Sequence, residues 1–536
     1  METFPLAVAD WQMALGEKQV LLTTDELRTY SPSTNPAFVS SIRAALRPND
    51  LDELAALVKI AARHRIPLYP LSTGRNWGYG TAQPPVSGCV LVDLSRLNRI
   101  LQFDATSGLV RLEPGVTQIQ LHNFLSEQRA PFMVPTTGAG PNCSILANAL
   151  ERGYGITPYT DHFLAVRRLE AILPDGSTYR GALSEWGGAA VDSAFKWGVG
   201  PYLDGLFSQG SFGIVTEATV ALAPRPETIE AFFFTAQDEK ALESLVDCVR
   251  DLQTQLSGIV GAVNLMNQRR ILAMTIPYPN RQPDDSATLS DELVAALAKP
   301  LQIQRWTGVG ALYGNKLVIA AAKKVVKQTL RGRVGRLIFF TAARAERAQK
   351  IVALLPDRFA HVRRRLATIR TTLDIMAGVP SEVSLPLAYW RSGKTPPVTG
   401  LDPGRDGCGV IWYTPLVALN PDNVREYTSF VTEVCKRYGI ETLITLTSLS
   451  AQCFDSSVPL LFDLRSPQAV ANANACYREL FERGCAKGFV PYRVGSEFMS
   501  LLTGNGGSSW DLIRRLKSAV DPDNIMAPGR YTHFGK

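Results

Sequence analysis

Between the apolar run Ile66-Pro67-Leu68-Tyr69-Pro70 and a second run, Gly88-Cys89-Val90-Leu91-Val92-Asp93-Leu94, lies Ser72-Thr73-Gly74-Arg75-Asn76-Trp77-Gly78-Tyr79-Gly80. Glycines let a backbone approach an anion and turn several N–H groups toward it, and Ser72, Thr73 and Asn76 add side-chain donors. The order strand, glycine loop, strand therefore suggests a pyrophosphate cradle. It is neither of the two common nucleotide loops: it lacks the Lys-Ser/Thr ending of a P-loop, and no helical pattern follows it directly as a dinucleotide fingerprint requires. A tight connection between strands is the alternative reading of the loop taken alone. Metal chemistry has little to work with. The five histidines are dispersed, no H-E-x-x-H occurs, and the eight cysteines stand singly with no C-x-x-C pair, so reduced thiols and no metal site are expected.

The elements that must position such a loop are legible in outline. At 536 residues the chain exceeds what one hydrophobic core serves, which predicts two or more domains. A composition of 46% hydrophobic and 20% charged residues excludes an intrinsically disordered chain, and no apolar run reaches membrane-spanning length. Met1-Glu2-Thr3-Phe4-Pro5 has neither a basic segment nor a signal-like apolar stretch, so a cytoplasmic protein without membrane contact is expected. The net charge of +7 is scattered, which argues against nucleic acid as a partner. Leu51, Leu54, Leu57 and Ile60 recur at helical spacing after Asp50, a plausible cap, and predict a helix over about residues 47–65. Residues 91–94, 109–112 and 171–173 read as strands, and 118–125 as a helix packed on them. Pro224-Arg225-Pro226 breaks this pattern and marks an expected boundary. Beyond it come strands at 336–342, 410–414 and 441–446, a surface loop over 393–407, and an amphipathic helix over 511–520 ended by Asp521-Pro522.

Three further motifs follow the first loop in order. They are Pro141-Asn142-Cys143-Ser144-Ile145-Leu146-Ala147-Asn148, running on through Gly153-Tyr154-Gly155 to Asp161-His162-Phe163; Ser208-Gln209-Gly210-Ser211-Phe212-Gly213-Ile214-Val215-Thr216; and Asp521-Pro522-Asp523-Asn524-Ile525-Met526-Ala527-Pro528-Gly529. Together they resemble the vanillyl-alcohol-oxidase and p-cresol-methylhydroxylase type of FAD flavoprotein. The middle of the chain, with Gly310-Ala311-Leu312-Tyr313-Gly314, Gly378-Val379-Pro380, Trp412-Tyr413-Thr414-Pro415 and Tyr492-Arg493, is similar to the phenol-oxidising branch, eugenol oxidase included. The resemblance implies a two-domain α+β fold: a FAD-binding domain from residues 1–226, a substrate-binding cap from 227–488, and a segment from 489–536 that returns to the first domain. It also implies that Ser72, Thr73, Gly74, Arg75 and Asn76 hold the FAD pyrophosphate. Gly138, Cys143, Ser144, Asn148, Tyr154 and Gly155 would line the phosphates and flavin, Ile214 and Val215 the adenine side, and Arg530 joins the cofactor set.

The same resemblance assigns a catalytic set of Tyr79, Tyr492, Arg493 and Asp161. A para-alkylphenol gives up benzylic hydride far more readily as its phenolate, and a guanidinium with two hydroxyl donors favours that anion by roughly 2–4 kcal/mol per group in a dry site. Hydride passes to flavin N5 and leaves a quinone methide, with Asp161 as the base that activates water or takes a proton. The family's covalent flavin histidine is replaced at Val410, and the tyrosine linkage of the cytochrome-coupled branch falls about Ile411, so noncovalent FAD is implied; attachment through Cys143 is the alternative. The expected partners are a small aromatic substrate, oxygen or a redox protein as electron acceptor, and a second copy in a homodimer. Oxidation of a non-phenolic alcohol or biosynthetic intermediate, and a catalytically silent flavin-binding protein, remain alternatives.

Overall fold

Asp50 accepts the Glu53 amide proton and opens the helix Leu51–His64, which ends on Arg65 in the left-handed region with φ 53°. Its apolar face, Leu54, Leu57, Val58, Ile60 and Ala61, is buried against a four-stranded sheet. The computed structural model describes residues 3–279, 288–353, 360–504 and 506–532. In that first sheet the strands run in the order Val20–Leu21, Ile42–Leu46, Cys89–Asp93, Leu68–Leu71. Cys89–Asp93 pairs in parallel with both of its neighbours. The loop after Leu71 therefore leaves the carboxyl edge of three parallel strands, the edge at which open α/β sheets bind ligands.

A second sheet is antiparallel, in the order Ile100–Asp104, Leu109–Leu112, Ile214–Ala221, Val166–Ile172, Thr178–Tyr179. Ile214–Ala221 is buried at every position. A capping box at Thr117 starts the helix Gln118–Glu127, whose Leu121 and Leu125 pack into the same core.

The third sheet has eight strands, with Thr228–Ala236, Trp306–Gly314, Asn264–Asn267, Thr445–Ser448, Cys453–Phe462 and Gly409–Tyr413 in sequence across it. Helices Ala241–Gln255, Lys316–Leu330, Pro421–Arg437 and Pro467–Ala486 pack into a large apolar core against it. The strand expected at 441–446 begins only at Thr445. Glu441 is instead buried as an acceptor for Arg269 at 2.5 Å, the Leu289 amide at 2.7 Å and the Tyr278 hydroxyl at 3.0 Å, which holds its segment out of the ladder. The stretch 393–407, expected as a surface connection, is a loop, but its Asp402 ties it to Arg75 of the glycine loop.

After the helix Ser508–Val520 the chain returns to the first sheet. The Leu68 amide donates to the Ile525 carbonyl, and the Ala527 amide to the Leu68 carbonyl, each at 2.7 Å. A buried ion pair fixes the return: Lys517 Nζ donates to Asp521 at 2.5 Å and to the Met526 carbonyl at 2.7 Å, while Asp521 accepts the Ile525 and Met526 amides. Removing the cation strands a carboxylate in the interior, at a cost of about 3–5 kcal/mol. Lys517→Met is thus expected to lower the free energy of unfolding by that amount, read as a fall in the urea midpoint at unchanged slope, and to expose the tail to protease. A midpoint within error of the wild type would show that the pair does not hold the tail.

Candidate functional site

A cavity of about 480 Å³ lies where the three sheets meet. The glycine loop contributes Ser72, Thr73, Gly74, Arg75 and Asn76 to its wall; the second motif Gly138, Cys143, Ser144, Asn148 and Tyr154; the third Ile214 and Val215; the tail Arg530. Among the described residues, no protein acceptor takes the backbone N–H groups of Thr73, Gly74, Arg75 or Asn76. Free amides on a glycine loop beside Arg75 suit a pyrophosphate. Asp402 pairs with Arg75 and accepts from Trp77 Nε1 at 3.2 Å, so the third sheet's side of the molecule holds this loop in place. Two polar residues of the second motif already have internal work. Ser144 caps the helix Ile145–Leu150 by accepting the Ala147 amide at 3.0 Å, and Asn148 meets His162 Nδ1 at 2.7 Å. Burial drives the His162 pKa down to about 4, so this imidazole is neutral and serves to orient Asn148.

Tyr79, Tyr492 and Arg493 line the same cavity. The Arg493 guanidinium stacks over the Tyr79 ring at 4.2 Å, and the Tyr492 ring meets Tyr154 edge-on at 5.5 Å. Thr414 sets the pair: its carbonyl accepts the Tyr492 amide at 3.2 Å, and its hydroxyl donates to the Arg493 carbonyl at 3.1 Å. Gln209 adds a bond from Nε2 to the Tyr492 carbonyl at 2.9 Å. Behind them Glu151 sits between two arginines, paired with Arg530 and 3.5 Å from Arg493 Nε. Burial alone would raise this carboxyl, but Arg530 and then Arg493 hold it below its usual value, so it is ionised. Burial also raises Tyr79 to about 12, against the pull of Arg493.

Asp455, absent from the sequence-derived set, lies on the cavity wall beside this group. Burial raises its carboxyl to about 7, with Arg493 and the Tyr492 hydroxyl pulling the other way, and its Oδ1 has no partner. Its only sequence signal is a carboxylate in a strand, Cys-Phe-Asp-Ser-Ser-Val-Pro-Leu-Leu-Phe, that is otherwise uncharged. Asp161 occupies a different place. Its carboxylate accepts the Leu164 amide at 2.9 Å as a helix cap, and it stands behind Tyr154, whose pKa it helps to raise, outside the cavity lining. Gly155 is also set back, packed so closely on His162 and the Thr136 carbonyl that a Cβ would sit 2.6 Å from His162 Nε2. Val410 lines the cavity where a covalent histidine was sought, and no histidine is among the lining residues. Cys143 lines it too, with its thiol pushed up by burial and hence protonated.

A glycine loop with unpaired amides at the carboxyl ends of parallel strands, opening onto a cavity lined by both polar and apolar residues, suits a nucleotide cofactor held beside a small substrate. Residues 42–181 match the model for a FAD binding domain, and 395–531 that for the C-terminal domain of FAD linked oxidases. The chain is 35% identical to the 1'-carboxy-chondrochloren decarboxylase of Chondromyces crocatus over 99% of this chain and 98% of that one. It is 28% identical to the 4-cresol dehydrogenase [hydroxylating] flavoprotein subunit of Pseudomonas putida, over 98% and 95%. Among solved structures it superposes on p-cresol methylhydroxylase with substrate bound at a TM-score of 0.87 and 26% identity, covering 99% of this chain and 97% of that one. The isoeugenol complex of 4-ethylphenol oxidase from Gulosibacter chungangensis gives a TM-score of 0.88 at 22% identity, with coverage of 99% and 97%, a likeness of fold alone. The chain belongs to the vanillyl-alcohol-oxidase/p-cresol-methylhydroxylase-type family of FAD flavoproteins. It has the family's two-domain α+β fold and is a FAD-dependent oxidoreductase acting on a small organic substrate.

Glu151→Gln leaves two buried guanidiniums without their shared counter-charge. Because unpairing a buried charge is strongly unfavourable, FAD uptake by the deflavinated variant is expected to weaken at least about tenfold. A flavin-fluorescence titration indistinguishable from the wild type would remove Glu151 from this positioning role.

Proposed function

We propose that the protein is a FAD-dependent oxidase or dehydrogenase that removes hydride from the benzylic carbon of a para-substituted phenol, a 4-alkylphenol or aryl alcohol. The observation that carries this reading is the convergence of Arg493, Tyr79, Tyr492 and Asp455 on one wall of the cavity. Residues 72–76, Gly138, Asn148, Ile214, Val215 and Arg530 hold FAD, without a covalent bond, since the lining has no histidine and the Cys143 thiol is protonated. When bound, FAD supplies the hydride acceptor. The chain supplies the rest. Arg493, with the Tyr79 and Tyr492 hydroxyls, holds the phenolate oxygen and stabilises the electron-rich ring from which hydride departs. Asp455 faces the same space as those three groups and, with a pKa near 7, is better placed than Asp161 to accept the phenol proton or one from attacking water. Oxygen or a redox protein then takes the electrons.

A second reading comes from the Chondromyces crocatus relative, whose name is that of a decarboxylase of a carboxy compound. After hydride loss, a carboxylate on the carbon next to the benzylic one can leave as CO2. Its bond pair becomes the side-chain double bond while the quinone methide returns to phenolate, so no oxidant beyond FAD is needed.

Anaerobic mixing with eugenol, vanillyl alcohol and 4-ethylphenol, followed through the flavin absorbance, tests the phenolic class. Bleaching supports it, and yellow protein that none of them bleaches refutes it. Arg493→Ala is expected to slow reduction at least about 100-fold, the scale of losing one oxyanion donor. Asp455 works as a base only when ionised, so the reduction rate should rise with pH through about 7 and flatten above it. Asp455→Asn should abolish that limb; an unchanged limb would assign it to another group.

A further inference from the structure

Arg270, the third residue of the helix Gln268–Thr275, reaches into the wall of the cavity. Its Nε and Nη1 are buried and have no hydrogen-bond partner, and among the described residues no carboxylate pairs with it. The nearest aromatic contact is the Trp412 ring, 5.9 Å from its guanidinium carbon. Burial alone depresses its pKa, to about 10, with no acidic neighbour opposing the shift. It remains a cation at neutral pH. Each of the other arginines lining the cavity has a carboxylate: the buried Arg493 and Arg530 share Glu151, and the partly exposed Arg75 has Asp402. An unpaired buried guanidinium is among the costliest arrangements a fold can carry, so one aimed into a ligand cavity marks a missing anion.

The sheet register places this cation relative to the phenol anchor. Thr447 is opposite Asp455, Thr445 opposite Ser457, and Trp412 opposite Pro459, so these rows climb one face of the sheet. Asp455 and Pro459 are four residues apart along Cys453–Phe462, about 13 Å at strand rise, and Arg270 meets the Trp412 end of that distance. Between the ends stand Thr445, whose buried hydroxyl is also without a partner, and Ser457. A phenol ring with a two- or three-carbon side chain spans this interval.

We propose that the substrate's para side chain ends in a carboxylate and that Arg270, with the Thr445 hydroxyl, is its receptor. The proposal rests on the phenol reading above and adds to it the chemistry of the substrate's far end. A phenol anchored at Arg493 and a carboxylate anchored at Arg270 fix the molecule at two points, which holds the benzylic carbon in one position for hydride transfer.

The test uses holoenzyme and two ligands of equal length, 3-(4-hydroxyphenyl)propanoate and uncharged 4-propylphenol. Dissociation constants are read from the anaerobic perturbation or bleaching of the flavin. Wild-type protein is expected to bind the carboxylate at least about tenfold more tightly, the scale of a charge-assisted hydrogen bond. Arg270→Gln should collapse that ratio to about one, and Arg270→Lys should restore part of it. FAD retention of each variant, measured by fluorescence titration, is the second readout. A wild-type ratio near one, with 4-propylphenol still bleaching the flavin, overturns the proposal and leaves the phenol reading standing. Equal weakening of both ligands in Arg270→Gln, accompanied by loss of FAD, assigns the guanidinium to the cofactor and also overturns it. If neither phenol perturbs the flavin, both readings fall together.

Discussion

The site depends on one buried carboxylate. Glu151 follows the short helix Ile145–Leu150, Arg493 comes from the connection after the long helix Pro467–Ala486, and Arg530 from the returning tail. Three segments that are distant in sequence meet on one ionised side chain. The Tyr492–Arg493 pair, the cavity wall and the chain's final turn are thereby set in a single geometry. The buried Lys517–Asp521 pair works upstream of this meeting, because Asp521 gathers the Ile525 and Met526 amides and so aims the tail that carries Arg530. Neither pair adds much net stability by itself, since desolvation offsets most of the attraction. Their value is that each alternative placement of the tail leaves a buried charge alone.

How much of this was legible in the sequence follows from the range of the interactions involved. The helix after Asp50 and the strand at 109–112 were readable because cap chemistry and local periodicity determine them. The glycine loop was readable as a candidate anion cradle because glycine spacing is a local property of the chain. Glu441 shows the limit: its segment has strand-like composition, yet three donors from elsewhere in the fold hold it outside the ladder. Asp402 shows the same limit from the other side. A loop of Gly, Pro and Asp reads as solvent-facing, and nothing local says that one of its carboxylates reaches Arg75.

Asp455 and Arg270 were invisible for a further reason. A carboxylate in a strand and an arginine in Gln268-Arg269-Arg270 are common on surfaces, and only burial turns them into reactive or receptive groups. The neighbouring Arg269 illustrates this, since it pairs with Glu441 and Asp291 while Arg270, one residue on, has no ion-pair partner among the described residues. One step along a helix rotates a side chain by about 100°, enough to carry one arginine to an ion pair and the next into the cavity. Asp161 is the converse. Its position in the motif suggested a reaction-centre base, and the structure gives its carboxylate to a helix end.

The charges around Arg493 form a consistent set with the proposed phenol site. Arg493 and Arg530 carry two positive charges, and Glu151, held ionised between them, removes one, which leaves a net charge of about +1 behind that site. Asp455 would cancel that charge if it were fully ionised, but its pKa near 7 lets it take a proton at little cost. On the proposed reading, transfer of a phenol proton to Asp455 would change two charges together: the substrate would become an anion facing the net positive arginine pair, and the nearby carboxylate would become neutral. A carboxylate with an ordinary pKa would stay ionised and repel the phenolate, and an apolar residue would offer the proton no destination. The burial that makes Asp455 an expensive residue to carry is thus the property that would suit it to the proposed reaction.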